Sequence, residues 1–248
     1  MKIWGITDTG LVRSENQDAF CTWHSGEYTA AVVCDGMGGA AGGQIASTVT
    51  VETYQKELTA ALHENMEPSQ LAQAMLYAAS LANDAVHKRA AENVELAKMG
   101  TTLVSAVCTQ TMAVIANIGD SRAYSITQEG ITQISRDHSV VENMIRQGEI
   151  TRLEAKNHPN RNLITRAIGP DAVVQVDTFP ITWNPGDFIL LCSDGLVNTV
   201  SEHEILFEVI HSEDQEHCLE RLLKIAKDNG APDNVTVVLV MNEEKEVT

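Results

Sequence analysis

Short unbroken apolar runs alternate with helical stripes along this chain, and each predicts an element. Val32-Val33-Cys34, Phe188-Ile189-Leu190-Leu191-Cys192 and Val235-Thr236-Val237-Val238-Leu239-Val240 are too short for buried helices and read as core strands. Residues 3–9 alternate as a further strand, and residues 28–34 form the first strand of the core. Residues 100–108 and 112–118 are β-rich and separated by Thr109-Gln110-Thr111, the spacing of a hairpin. Residues 45–62 and 68–91 read as helices. In the second, Pro68 takes the first helical position and Leu71, Ala74, Met75, Ala78, Ala79, Ala82 and Val86 make one apolar stripe. Ser201 caps a helix running into residues 205–210, and residues 218–229 form a last amphipathic helix stopped by Gly230. Between residues 135 and 169 the pattern breaks into a polar, arginine-bearing segment with short helical pieces. It is an excursion from the sheet that either governs access to a site or is an ordinary surface insertion. No repeat, linker or low-complexity tract divides the chain, so residues 1–241 are expected to form one domain, followed by a charged tail, 242–248, that frays.

The core runs share a second feature, because each meets an aspartate at one end. Asp35 follows Val32-Val33-Cys34 and opens the glycine-rich turn Gly36-Met37-Gly38-Gly39; Asp194 follows the run ending at Cys192; Asp233 precedes the run beginning at Val235. A fourth, Asp120, follows residues 112–118 at Gly119. A single Asp-Gly pair does no more than make a turn. Recurrence at the ends of core strands instead brings carboxylates together, and such a cluster stays ionised only where cations neutralise it. All-oxygen ligation suits magnesium or manganese rather than zinc.

Charge narrows the partners. With 34 acidic residues against 17 basic ones, the net charge of −17 repels nucleic acid, and any phosphate group must be drawn in by bound cations and local arginines. Arg13, in the polar stretch from Gly10 to Phe20, is suited to grip a phosphate with both arms of its guanidinium, and a solvated surface charge is the plain alternative. Asp18 in the same stretch suits a helix cap or a turn. His138 and His158 stand alone and are read as structural. The five cysteines are widely spaced, mostly inside apolar runs, and read as reduced core residues. No apolar run reaches 18 residues and the first residues lack the features of a signal peptide, so a cytoplasmic location without membrane contact is expected.

Arg13-Ser14-Glu15-Asn16-Gln17-Asp18, Asp35-Gly36-Met37-Gly38-Gly39, Gly100-Thr101-Thr102, Asn117-Ile118-Gly119-Asp120-Ser121-Arg122, Ser193-Asp194-Gly195 and Asp233-Asn234 follow one another in an order that resembles the metal-dependent protein phosphatases of type 2C, in particular bacterial members. The resemblance runs from Thr7 to Val240 and implies an α+β fold, an αββα sandwich of two antiparallel sheets flanked by helix pairs, with residues of about 138–168 as a mobile flap. It implies serine/threonine protein phosphatase activity with two Mn2+ or Mg2+ ions and a third, weaker one. By the same resemblance Asp35 bridges two ions, Asp194, Asp233 and the Gly36 carbonyl complete their ligands, and Asp120 with Asp194 holds the third. Asp18 matches a carboxylate that holds metal-bound water, and Arg13 matches a phosphate-binding arginine. Met37 departs from the pattern of animal members, which carry there a histidine proposed as general acid. The implied partners are phosphorylated proteins, a serine/threonine kinase among them, acted on by a monomer. A phosphatase of small phosphorylated metabolites and a phosphatase-like sensing module without catalysis are the alternatives, and the retained aspartates speak against the second.

Overall fold

Consecutive side chains of β3 (Tyr28–Met37) are buried on opposite sides of the strand, and that alternation builds the molecule. Ala30, Val32 and Cys34 pack outward beneath helices, whereas Ala31 and Val33 pack inward against a second sheet. The same division runs along β10 (Phe188–Cys192) and β11 (Val235–Met241): Leu190 and Leu239 face outer helices, while Ile189, Leu191, Val238 and Val240 face the inter-sheet core. Strands covered on both faces have no polar side to show, which is why they appear in the sequence as unbroken apolar runs.

The computed structural model describes residues 1–39 and 42–243. Its other strands are β1 (Lys2–Asp8), β2 (Asp18–Ser25), β4 (Gly100–Thr101), β5 (Leu103–Cys108), β6 (Met112–Ile118), β7 (Arg122–Thr127), β8 (Gly130–Gln133) and β9 (Asp177–Thr182). Among the described residues five strands form one sheet in the order β1-β11-β10-β7-β8, and six form the other, β2-β3-β5-β6-β9 with β4 beside β3. Every pairing is antiparallel. Helices α1 (Gly42–Ala61) and α2 (Pro68–Glu92) cover the β3 sheet, and α5 (Asp194–Val197), α6 (Glu202–His211) and α7 (Gln215–Asp228) cover the other. This is the αββα sandwich. The apolar stripe expected on α2 is buried residue for residue, and Ser201 caps α6 by accepting from the Glu204 N–H. No helix among the described residues is long and apolar enough to cross a membrane.

Four strands lie outside the sequence-based expectation. Three of them, β2, β8 and β9, are sheet edges, and their mostly half-exposed residues carry no both-face apolar signature. The fourth, β7, begins directly after the Asp120 loop and mixes Arg122 and Ser125 with its buried residues. The expected end of the first core strand also moves. β3 does not stop at Asp35 but continues to Met37, where Gly36 and Met37 pair with Thr101 and Gly100 of β4, so the turn is left to Gly38 and Gly39 at φ of 115 and 91. Finally, the tail does not fray from Asn242. That residue is buried and donates to the Gln110 carbonyl, and Glu243 pairs with the amino terminus and Lys2. The rest of the expected tail, 244–248, lies outside the described residues.

Candidate metal centre

Register delivers the acidic residues to one end of the sandwich. Asp18 and Asp35 are direct partners across β2 and β3. Cys192 pairs with both Val237 of β11 and Arg122 of β7, so Asp194 and Asp120, two residues beyond those pairs, and Asp233, in the turn that leads into β11, come to the same end of the sheet. A cleft of about 490 Å³ opens there, lined by Asp35, Asp120, Asp194 and Asp233 together with Arg13, Gly36, Met37 and Thr102. From the segment 138–168, which holds α3 (Val140–Gln147) and α4 (Arg152–Lys156), Asn162 and Ile164 reach the same cleft.

Each carboxylate is positioned by identifiable contacts. Asp18 Oδ2 accepts from Ser193 Oγ at 2.8 Å and from Thr236 Oγ1 at 2.7 Å, while its Oδ1 is buried with no hydrogen-bond partner. Asp194 Oδ2 accepts from Asn198 Nδ2 at 3.0 Å. Asp233 Oδ2 accepts from Arg13 Nη2 at 2.7 Å, so the arginine expected to await phosphate rests on an acidic neighbour instead. Gly36 has a steric reason, since a Cβ there would lie 2.2 Å from the Gly43 carbonyl and 2.5 Å from that of Gln17.

Burial and like charge act together on these groups. Burial, then the charges of Asp18, Asp194, Asp120 and Asp233, push the Asp35 carboxyl well above its usual range. Asp120 is pushed up to about 7 by burial and by Asp194 and Asp137. Burial likewise raises Asp18 to about 6, against the two hydroxyl donors that favour its ionised form. Asp194 also rises, through burial and then the charge of Asp233. Among the described residues no three carboxylate, imidazole or thiolate groups close on one point as a finished cage. The residues nevertheless fit divalent ions: every donor is a hard oxygen, four carboxylates line one cleft, and a buried carboxylate oxygen beside them is left without a partner.

Sequence reasoning missed several residues that hold this arrangement together. Asn234 accepts from the Gln17 N–H through Oδ1 and donates through Nδ2 to the carbonyls of Thr9 and Glu15, which folds the Arg13 loop over Asp233. Ser193 and Thr236 were visible as polar residues at the ends of buried strands, a pattern that asks for a buried partner. His138 is buried and structural as expected. Its Nδ1 accepts from the Gly119 N–H at 3.1 Å, which leaves the ring proton on Nε2, 3.1 Å from Asp177 Oδ2, and burial lowers its pKa.

The protein phosphatase 2C family model matches residues 12–239. The chain belongs to the protein phosphatase 2C family. This type 2C chain is 36% identical to the serine/threonine phosphatase Stp of Listeria innocua over 239 residues, 94% of this chain and 93% of the relative. It is 33% identical to protein phosphatase PhpP of Streptococcus pneumoniae over 246 residues, 98% of this chain and 99% of the other. The crystal structure of the serine/threonine phosphatase Stp1 from Staphylococcus aureus superposes with a TM-score of 0.92 at 36% identity, covering 98% and 95% of the two chains. Dependence on manganese or magnesium is general in the 2C family.

Proposed function

We propose that this chain, a serine/threonine protein phosphatase of type 2C, hydrolyses phosphoserine and phosphothreonine esters of proteins by direct attack of water, with residues 1–241 acting as one catalytic domain. The observation that carries this reading is the meeting of Asp35, Asp120, Asp194 and Asp233 in one cleft with Arg13 at its rim. Asp35, Asp194, Asp233 and the Gly36 carbonyl would hold two Mn2+ or Mg2+ ions, and Asp120 with Asp194 a third, weaker one. When bound, the ions offset charge on the phosphoryl oxygens and activate water. Asp18, with Oδ1 unpartnered, is the acceptor left to orient that water. Arg13 is half exposed at the rim of the cleft, where its guanidinium would fork onto phosphoryl oxygens. Met37 lines the cleft with a thioether, which has no proton to give to the leaving group. The segment 138–168 serves as the flap over the substrate, with Asn162 and Ile164 facing the cleft. On the same reading the partners are phosphorylated proteins, a serine/threonine kinase among them, and the enzyme is a cytoplasmic monomer.

The direct test compares turnover of a phosphothreonine peptide with that of sugar and nucleotide phosphates. Hydrolysis of the peptide should appear with Mn2+, disappear with a chelator and exceed that of the small phosphates. A preference for a small phosphate moves the substrate to a metabolite.

Arg13→Ala should lower kcat/KM for phosphopeptides roughly ten- to hundredfold, the loss of a charge-assisted contact of about 1.5–3 kcal/mol. Because the guanidinium competes with cations for Asp233, the half-saturating Mn2+ concentration should not rise. Unchanged kinetics return Arg13 to a plain ion-pairing role.

Asp120→Ala should keep the tighter ions, lose much of the turnover and require more Mn2+. Removing a carboxyl that burial pushes up to about 7 should also raise the melting temperature of the chelated protein. A destabilised variant with wild-type kcat and Mn2+ dependence assigns Asp120 to the turn alone.

A further inference from the structure

Thr102 stands between two acidic loops of the cleft and touches both. Its N–H donates to the Asp35 carbonyl at 2.9 Å, and its Oγ1 accepts from the Asp35 N–H at 2.9 Å, so both backbone polar groups of Asp35 end on one threonine. Thr101 Oγ1 donates to the same carbonyl at 2.8 Å. On its other side Thr102 Oγ1 lies 2.6 Å from Ser121 Oγ, the residue next to Asp120. The methyl of Thr102 closes against Gly119, where a Cβ would fall 2.6 Å from Thr102 Cγ2. Thr102 and Ser121 are 2% and 0% exposed, so their shared hydroxyl contact is buried.

One buried hydroxyl therefore links the backbone carrying Asp35 to the loop carrying Asp120. These two carboxylates approach the cleft from β3 and from the β6–β7 loop. Both carboxylates line the same cleft, so like charge works to separate them. We propose that Thr102 is a positioning residue that sets the spacing of the Asp35 and Asp120 carboxylates and, through it, the affinity of the cleft for divalent cations. The proposal rests on the reading of these carboxylates as cation ligands. Valine has the shape of threonine but no hydroxyl, so it leaves the Asp35 N–H buried without an acceptor and separates the two loops. Serine keeps the shared oxygen and gives up only the methyl contact.

The test titrates chelated wild type, Thr102→Val, Thr102→Ser and Ser121→Ala with Mn2+ by calorimetry, alongside melting temperature and phosphopeptide kinetics. Thr102→Val should weaken Mn2+ binding by about tenfold or more, the range found when partners of metal ligands are removed, and lower kcat while KM for the peptide stays put. Thr102→Ser should recover binding to within about threefold of wild type. Ser121→Ala cuts only the Asp120 side and should weaken the loosest binding phase while the tighter ones persist. A folded Thr102→Val with a lower melting temperature but wild-type Mn2+ affinity in every phase overturns the proposal. Should the valine variant not fold, a wild-type titration from Ser121→Ala overturns it equally. Wild type that binds no Mn2+ overturns both this proposal and the metal-centre reading, whereas wild type that binds Mn2+ beside indifferent variants overturns this proposal alone.

Discussion

Asp35→Asn is expected to abolish Mn2+-dependent hydrolysis while making the metal-free protein more stable. Of the four aspartates lining the cleft, Asp35 is the one whose pKa is raised by each of the other three as well as by Asp18, after burial itself. Amide for carboxylate keeps the shape and cannot ionise, so the repulsion that sets in as the cluster loses its protons is smaller and the melting temperature of the chelated protein rises at pH values where wild type has begun to ionise. The same change takes away a central anionic oxygen donor, and hard cations bind through such donors. Loss of groups that merely support a ligand costs about 10–100-fold, so turnover should fall by more than about a hundredfold. Asp194→Asn and Asp233→Asn should behave alike in turnover. Activity within a few-fold of wild type in any of the three would remove that residue from the metal centre. A chelated Asp35→Asn that melts below wild type would show that the cluster is not under electrostatic strain.

The second large effect is an opposite response to pH with and without metal. Asp18 and Asp120 are pushed up to about 6 and about 7, and Asp35 and Asp194 are raised with them, so between about pH 4 and 7 the folded chain holds protons that the unfolded chain has released. Stability falls with pH wherever the folded state binds more protons, so the chelated protein should be most stable near pH 4 to 5 and lose stability up to about pH 7. His138 works the other way. Its lowered pKa means that the folded ring resists protonation, which favours stability as pH rises towards 6.5, but it is one group against four. Carboxylates whose pKa is lowered lose their contribution around and below their ordinary values, 3.8 for Asp8 and Asp177 and 4.5 for Glu154, Glu204 and Glu243, so they touch only the acid edge of this window. Cations bind the deprotonated cluster, so saturating Mn2+ should add more stability at pH 7 than at pH 5. Melting curves at pH 5 and 7, with chelator and with Mn2+, measure the effect directly. A fall on the order of 5 °C or more is expected for the chelated protein, and an equal Mn2+-induced gain at both pH values would contradict the linkage.

Both expectations depend on contacts of very different visibility in the linear chain. Central strands buried on both faces were legible because that burial forces an unbroken apolar run, as in Phe188 to Cys192, whereas β7 is interrupted by Arg122 and Ser125 and was not; α2 was legible because helical period and Pro68 agree. The aspartates at the ends of those runs could be named for the same reason: a carboxylate beside a core strand is rare enough to ask what compensates it. The edge strands β2, β8 and β9 were not legible, since they bury little and their sequences satisfy loop and strand equally well, whereas the edge strand β1 showed through its alternation.

The partners of each carboxylate were beyond the linear chain altogether. Asp18 faces Asp35 because β2 and β3 pair in one register, and a slip of one residue would have turned the two side chains to opposite faces. Arg13 meets Asp233 across 220 positions of sequence, and Asp18 meets Thr236 across 218. Thr102 joins the Asp35 backbone to Ser121 because β3, β5 and β6 bring Gly36, Thr101 and Gly119 to one end of the sheet. Local residue pattern is set by which faces are buried, so it reveals elements and the oddity of an acid at their ends. Which acid faces which is set by strand order and register, and those are properties of the packed sheets rather than of any one stretch of chain.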